Sequence, residues 1–470
     1  MKKYILVAVY FFLTNYCKSQ EQEQVFSFQD FLQKVKEHHP LAKQADLQTQ
    51  IGAANLLSAR GYFDPKTYAN YAQKHFQDIN YYKKLEGGVK IPTWFGITVL
   101  GGFEDNEGNY LNPENNVPDD GLYFAGVGVT LGQGLFIDER RAALKSAKIY
   151  AEGTKQKRRY LINELYLEAA IAYWNWFLAY HQQMVFKEAV DLSYERFQAV
   201  KQSALLGDRP YVDTLEAGIQ YQNRTLSLQE AQLNLNNAKA QLHVFLWDEG
   251  LVPLELEEFM IPSAIDSIFL EASNPSLKLG MDTLIEQHPL LALNDYEIQQ
   301  LEVEQRLKAE YIKPKLNLKY QPLLTGIDQE DWNQVNSNNY KFGLEFSFPI
   351  FLRKERGELE KNRIKLQEKE LEYDNKAAQL RAKINQALNE WDITLEQANL
   401  YHQTTNDYYE LLKAERSLFG MGESSLFLVN SRELGYISTK VKMIQLISKN
   451  KLAKSKAYYS LGILDQQNQE

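Results

Sequence analysis

The residues that could do chemistry are few. His38, His39 and His288 could hold a metal, but the carboxylate and cysteine partners of a ligand set do not stand at the right spacing. His39 and His288 each precede a proline, so helix ends explain them better. Gly126, Gly128, Gly132 and Gly134 lack the spacing and helix context of a phosphate loop. Trp174, Trp176 and Phe177 could form a ligand cage, although packing between helices accounts for them. Asp208, Asp213 and Glu423 stand beside glycine turns, where a helix dipole favours acids. The sequence contains no nucleophile–base set, P-loop or zinc-protease motif, so nothing positive supports an enzyme, a metal or a cofactor.

The elements that must position these residues are written twice. His39-Pro40-Leu41 through Pro65-Lys66 returns as His288-Pro289-Leu290 through Pro314-Lys315, at a constant offset of 249 residues. Tyr62 falls on Tyr311, and Asp64-Pro65-Lys66 falls on Lys313-Pro314-Lys315. Each copy reads as a helix that stops at a proline and hands over to extended chain. Such duplication predicts a fold of two equivalent halves, residues 20–247 and 281–470, joined by a proline-broken linker at 248–280.

Residues 1–19 read as a secretory signal, with Lys2 and Lys3 before the apolar run Tyr4–Leu13. Cys17, the only cysteine, falls within it, so disulfides and thiol chemistry are not expected of the mature chain. Lipidation of Cys17 is the other reading, against which Thr14-Asn15-Tyr16 is a poor match. Losing Lys2, Lys3 and Lys18 takes the formal charge from −9 to −12, unsuited to nucleic acid. No later stretch is apolar enough for a membrane helix, so a span would have to be a closed β-barrel.

In the first half, Ser27 with Asp30 reads as the start of a helix whose Phe28, Phe31, Leu32 and Val35 share a face. Residues 66–136 then change to period-two patterning, with strands expected at Lys66–Phe76, Gly87–Phe103 and Leu122–Phe136. Tyr62, Tyr68, Tyr71, Tyr81 and Tyr82 read equally as an interfacial aromatic belt or as ordinary strand residues. Residues 138–206 form one long helix or two collinear ones, of order 100 Å at about 1.5 Å per residue. Gly207-Asp208-Arg209-Pro210 turns the chain into a return helix, 211–247. Two seven-residue tracks run along it, Tyr221, Leu228, Leu235, Leu242 and Ile219, Leu226, Leu233, Ala240. The second half repeats the plan: strands within 316–351, a long helix at 353–419, the turn Gly422-Glu423-Ser424-Ser425 and a return helix at 426–461.

Strands that enter and leave on the helical side must come in even numbers. Three candidates in the first half mean that one stands outside the wall, or that a fourth is hidden. Lys66–Phe76 is the one set aside, leaving about four strands per chain. Four strands cannot close a barrel, since open edges are forbidden in lipid. Three copies would supply about twelve strands, and the same copies would gather the long helices into a tube.

On these elements the chain resembles the TolC family of outer-membrane efflux and secretion channels over nearly all of its mature length. The junctions Gly134-Leu135-Phe136-Ile137-Asp138 and Pro349-Ile350-Phe351-Leu352-Arg353 carry the resemblance, with Ala172-Tyr173-Trp174-Asn175-Trp176 and the turns Gly207…Asp213-Thr214-Leu215 and Gly422–Leu426. The resemblance implies a mainly α, internally duplicated fold: a homotrimer with a twelve-stranded β-barrel and a twelve-helix α-barrel. It implies a passive duct through outer-membrane lipid and periplasm, whose tip meets a periplasmic adaptor (a membrane fusion protein) and an inner-membrane pump. It places gate and adaptor contact at Gly207, Asp208, Asp213, Gly422, Glu423, Ser424 and Leu428. Asp213 matches a family gate acid, but Leu428 and Ser431 stand where the second half would carry another, making the constriction more apolar. A periplasmic coiled-coil adaptor without a barrel is the alternative, and its weakness is the alternating strands. A periplasmic hydrolase would need a nucleophile that the sequence does not supply.

Overall fold

A computed structural model of the chain describes residues 24–257, 259–268, 270–326 and 338–465. The signal expected over 1–19, with Cys17, lies outside these, as does most of the polar loop at 325–339. In chain order the first elements are β1 Gln24–Phe26, α1 Phe28–His38, α2 Pro40–Arg60, β2 Lys66–Phe76 and β3 Ile79–Pro92. Next come β4 Ile97–Glu107, β5 Leu122–Gly132, α3 Glu139–Leu205, α4 Tyr211–His243 and β6 Met260–Pro262. Then follow α5 Pro275–Leu279, α6 Met281–Glu286, α7 Pro289–Glu310, β7 Lys315–Leu324 and β8 Tyr340–Ser347. The long α8 Arg353–Gly420 and its return α9 Leu426–Ser460 complete the order. Among the described residues, no helix is long and apolar enough to cross a membrane.

The chain divides into two compact units, each drawing on both sequence halves. The first holds residues up to Asp46, Arg159–His288 and Ala378 onward; the second holds Leu47–Arg158 and Pro289–Ala377.

In the first unit, the Ser27 hydroxyl caps α1 by accepting from the Asp30 amide at 3.1 Å. Phe31, Leu32 and Val35 are thereby turned into a core with Tyr173, Trp174, Trp176 and Phe177 of α3. The Tyr173 hydroxyl donates to the Phe26 carbonyl at 2.8 Å, which satisfies its one polar atom. Packing, not a ligand cage, explains these aromatics. The stretch expected as a linker is folded here: β6 pairs in parallel with β1, Gln24 opposite Met260.

The second unit is built around one sheet, in the order β2-β3-β4-β5-β7-β8, antiparallel throughout. Six strands stand where about four were expected, and two segments account for the difference. Lys66–Phe76 is a full edge strand rather than an outsider. The expected single strand at 87–103 is two, split by a turn in which the Thr93 amide donates to the Ile97 carbonyl at 2.9 Å and Gly96 takes φ +93. The other new turn is Gln77-Asp78, both at positive φ, the two-residue geometry that matches strand twist. Leu122–Phe136 stops as strand at Gly132, φ +75, and Tyr340–Phe351 stops at Ser347 before Pro349.

Both duplicated histidines begin helices. The Leu41 amide donates to His39 Nδ1 at 3.2 Å, and the His39 ring stacks on Phe245. His39 and His288 are buried, and burial lowers the pKa of each, that of His288 to about 4.

Candidate functional site in the sheet and at the helical turns

The sheet has two chemically different faces, which the strand registers define; Lys83, Asp105 and Glu107 share the apolar side beyond its band, and Leu100, Phe124 and Leu323 share the polar side. Val89 lies opposite Thr67 and Gly101, and Val99 opposite Ile91 and Val127. Val129 lies opposite Leu318, which faces Leu344. One face therefore carries Tyr71, Leu85, Val89, Ile91, Ile97, Val99, Phe103, Tyr123, Val127, Leu131, Leu316, Tyr320, Phe342 and Phe346. The other carries Lys66, Asn70, Lys90, Glu86, Thr98, Glu104, Thr130, Asn317, Lys319, Lys341 and Glu345. Its groups bond to one another: Tyr68 donates to Glu86 at 3.1 Å, Thr130 to Asn317 at 2.9 Å, and Asn317 to Glu345 at 3.2 Å. Lys341 reaches Glu104 at 3.0 Å across two intervening strands, so the polar face is the concave one.

Exposed Val89, Ile91, Val99, Val127, Leu344 and Phe346 leave the apolar face unpartnered. Such a surface faces lipid or a partner, not water. Aromatics bound the apolar band. Phe103 and Tyr123 lie 4.7 Å apart toward one end, while Trp94, Phe95, Phe348 and Phe351 are exposed toward the end where the helices attach. The five tyrosines weighed as a belt do not act as one group, since Tyr68 belongs to the polar face and Tyr71 to the apolar face. Glycine keeps the polar face low: a Cβ on Gly102 would stand 2.6 Å from the Phe124 ring.

At the junction to α3, Asp138 caps the helix. Its carboxylate accepts from the Arg141 amide at 2.9 Å, and Arg141 donates to the carbonyls of Gly134 and Leu135. Burial opposes the Asp138 charge, but the bonds and charge of Arg141 overcome it and hold the carboxyl below its usual value.

At the helical turns of the first unit, the two halves repeat one geometry. The Asp208 amide donates to Ser203 O at 3.0 Å and the Gly207 amide to Ala204 O at 3.2 Å. Likewise the Glu423 amide donates to Leu418 O at 2.9 Å and the Gly422 amide to Phe419 O at 3.1 Å. Both are Schellman endings, which need a left-handed residue, and Gly207 and Gly422 sit at φ +85 and +82. Among the described residues nothing lies within 4 Å of a Cβ at either, so the backbone angle alone demands glycine.

The expected site residues separate into groups. Asp208 and Glu423 are exposed. Asp213 pairs with Arg209 at 3.7 Å, and Arg209 lies over the Phe419 ring at 4.4 Å, tying one turn to the other. Ser424 donates to Glu415, and the Leu428 amide donates to the Ser425 hydroxyl at 3.3 Å. Leu428 itself is exposed beside Phe427, while Leu426 and Val429 are buried. Leu205, Leu206, Tyr211, Val212, Met421 and Phe427 complete an exposed apolar rim at the turns.

Behind the rim lies a charged cluster that sequence reasoning missed. Glu433 is buried on α9 and receives Arg196 of α3 and, at 3.1 Å, Arg416 of α8. Arg196 also donates to Asn430 at 2.9 Å, and Asn430 donates to Glu216 of α4 at 3.1 Å. Arg432 pairs with Glu415 at 3.6 Å. Burial pulls the Arg224 guanidinium below its ordinary pKa; Glu433 opposes the shift and Arg196 adds to it. The available clue was Glu433 itself, a charge in the apolar row Leu426, Val429, Ile437, Ile444.

The model of the outer membrane efflux protein family matches residues 109–246 and 281–430. No curated protein sequence matches the chain. Among solved structures, the Campylobacter jejuni CmeC outer membrane channel matches with a TM-score of 0.63 at 16% identity, over 92% of this chain and 84% of that one. The open state of the Neisseria gonorrhoeae MtrE outer membrane channel matches at 0.66 and 13%, over 92% and 88%. The Vibrio cholerae outer membrane protein VceC matches at 0.64 and 12%, over 92% and 95%.

Proposed function

We propose, from the premise that this chain belongs to the outer membrane efflux protein family and is a channel protein of the outer membrane and periplasm, that three copies build one passive duct. The observation that carries the reading is the open, two-faced sheet. Its apolar face suits lipid and its polar face suits a water-filled lumen. Its edges, β2 and β8, have no partner strand among the described residues, and a bilayer cannot tolerate a bare edge. Six strands fall short of the eight of the smallest bacterial barrels, so copies must share the wall. The helices support the same assembly: of the two heptad tracks expected on α4, Leu235 and Leu242 are buried within the chain. Ile219, Leu226 and Leu233 are exposed and free to meet another copy.

The turns are the proposed docking and gating end. The apolar rim around Leu206, Tyr211, Met421 and Phe427 suits the hairpin of a periplasmic adaptor, which would link the duct to an inner-membrane pump. Asp213 and Leu428 are the proposed constriction residues, with Asp208, Glu423 and Ser424 at the contact. Drug efflux and type I secretion are both open to such a duct, because energy and specificity come from the pump. The adaptor alternative has no use for an apolar sheet face.

Membrane extraction and transport test the proposal together. The protein should resist carbonate, need detergent, run as a heat-labile oligomer, and restore efflux of a dye to a strain lacking its own duct. Release by carbonate as a monomer would end it. Gly422→Trp and Asp208→Arg should abolish efflux and adaptor crosslinking while the oligomer persists; unchanged efflux and crosslinking would remove the turns from the account.

A further inference from the structure

We infer that the shared wall has eighteen strands, six from each of three copies, closed where β8 of one copy pairs antiparallel with β2 of the next. The inference rests on the shared duct proposed above and concerns how its wall is made. The hairpin β2–β3 is the strand pair beyond the four per chain expected from sequence, so its place decides between eighteen and twelve.

Three observations put it in the wall. First, its hydrogen bonding is continuous with the rest: β2 pairs with β3 from Lys66–Lys90 to Lys74–Tyr82, and β3 with β4 from Lys83–Glu107 to Pro92–Thr98. Second, it obeys the same two-faced rule. Tyr71, Leu85, Val89 and Ile91 join the apolar face, while Lys66, Asn70, Glu86 and Lys90 join the polar one. A hairpin lying outside a barrel has no need of that alternation. Third, the exposed edges lie at β2 and β8. Both are solvent-exposed along nearly their whole length, whereas β3, β4, β5 and β7 are mostly half-buried. The edges are also compatible. The strands alternate in direction across an even number, so β2 and β8 run oppositely and can mate without a parallel seam. Barrel diameter grows roughly linearly with strand number, so the lumen would be roughly half again as wide as that of a twelve-stranded wall, with about twice the open area.

Cysteine crosslinking in isolated outer membranes tests this on the full chain carrying Cys17→Ser, which removes its only native cysteine. One set pairs Thr67→Cys, Ala69→Cys or Tyr71→Cys on β2 with Leu344→Cys or Phe346→Cys on β8. A second set pairs Val99→Cys or Gly101→Cys on β4 with the same β8 cysteines. All these positions share the apolar face, and a short bis-thiol crosslinker is used beside the oxidant to catch diagonal neighbours. The expected result is a covalent three-chain band from the β2–β8 set and none from the β4–β8 set. A three-chain band from the β4–β8 set would overturn the inference, placing the hairpin outside a twelve-stranded wall and leaving the duct intact. A heat-labile trimer that crosslinks in neither set would also overturn it. A monomer that washes off without detergent would overturn both the inference and the duct.

Discussion

Removing the Glu433 carboxylate should loosen the turn end of the helices specifically. Glu433 is 3% exposed and holds Arg196 and Arg416, with Arg224 also buried beside it. Glu433→Ala leaves the Arg196 and Arg224 guanidiniums buried without that carboxylate, while Arg416 stays partly solvated. Breaking a buried pair from one side costs about 3–5 kcal/mol. At 1.4 kcal/mol per tenfold, local opening becomes more frequent by roughly two to three and a half powers of ten. Hydrogen exchange of the intact oligomer reads this directly, as faster exchange in Leu426–Ile437 of α9 and in α3 around Arg196. Lys413→Ala is the control: its pair with Glu410, at 3.8 Å, is solvent-exposed, and protection should not change. The triple variant Arg196→Met, Arg224→Met and Glu433→Leu should regain most of the loss, since apolar replacement of a whole buried charge cluster is often neutral or better, while Arg196→Met with Glu433→Leu, which keeps Arg224 buried, should regain less. If the turns gate the duct, Glu433→Ala cells should also admit a large hydrophilic antibiotic that the intact outer membrane excludes. Unchanged exchange in Glu433→Ala would refute the idea that this cluster clamps the four helices together.

Three further outcomes follow from the same structure. Gly422→Ala should cost about 1–2 kcal/mol through the left-handed backbone alone, and Gly422→Asn less; proteolysis at the turn reads the order. Phe342→Arg, in the middle of the apolar face opposite Tyr320, should lower the yield of heat-labile oligomer by an amount matching about 2–4 kcal/mol, while Glu345→Arg on the polar face should assemble. His288 is neutral in the fold, with its pKa lowered to about 4, but takes a proton below about 6.5 when unfolded. Its contribution is therefore present above pH 6.5 and is lost as pH falls through 4, about 3 kcal/mol in all. His288→Gln should flatten the urea-midpoint profile across that window, and an unaltered profile would count against the burial argument.

Much of this architecture is legible in the sequence because long helices announce themselves. The helices expected at 138–206 and 353–419 are Glu139–Leu205 and Arg353–Gly420 in the structure, since uninterrupted helical spacing and a glycine stop leave little choice. The β3–β4 hairpin was invisible for a definite reason. Val89, Ile91, Thr93, Phe95, Ile97 and Val99 alternate straight through its turn, because antiparallel pairing joins residues of the same parity and the tight turn does not shift it. Pro92 and Gly96 were the only local marks of a bend. On α4, heptad spacing identified two apolar tracks but not which of them the chain buries by itself. The row it buries alongside Leu235 and Leu242 is Ala217, Arg224, Ala231 and Ala238, three small residues and an arginine that carry almost no hydropathy signal. At the turns, position was readable from the glycines. The ion pairs behind them join four helices far apart in sequence, and no local pattern records that.

The central claim is that one copy cannot close its own wall, and native mass spectrometry of the detergent-extracted mature protein tests it most directly. The account predicts a complex of three chains that survives only in detergent. A single chain, stable and soluble in plain buffer, would contradict it.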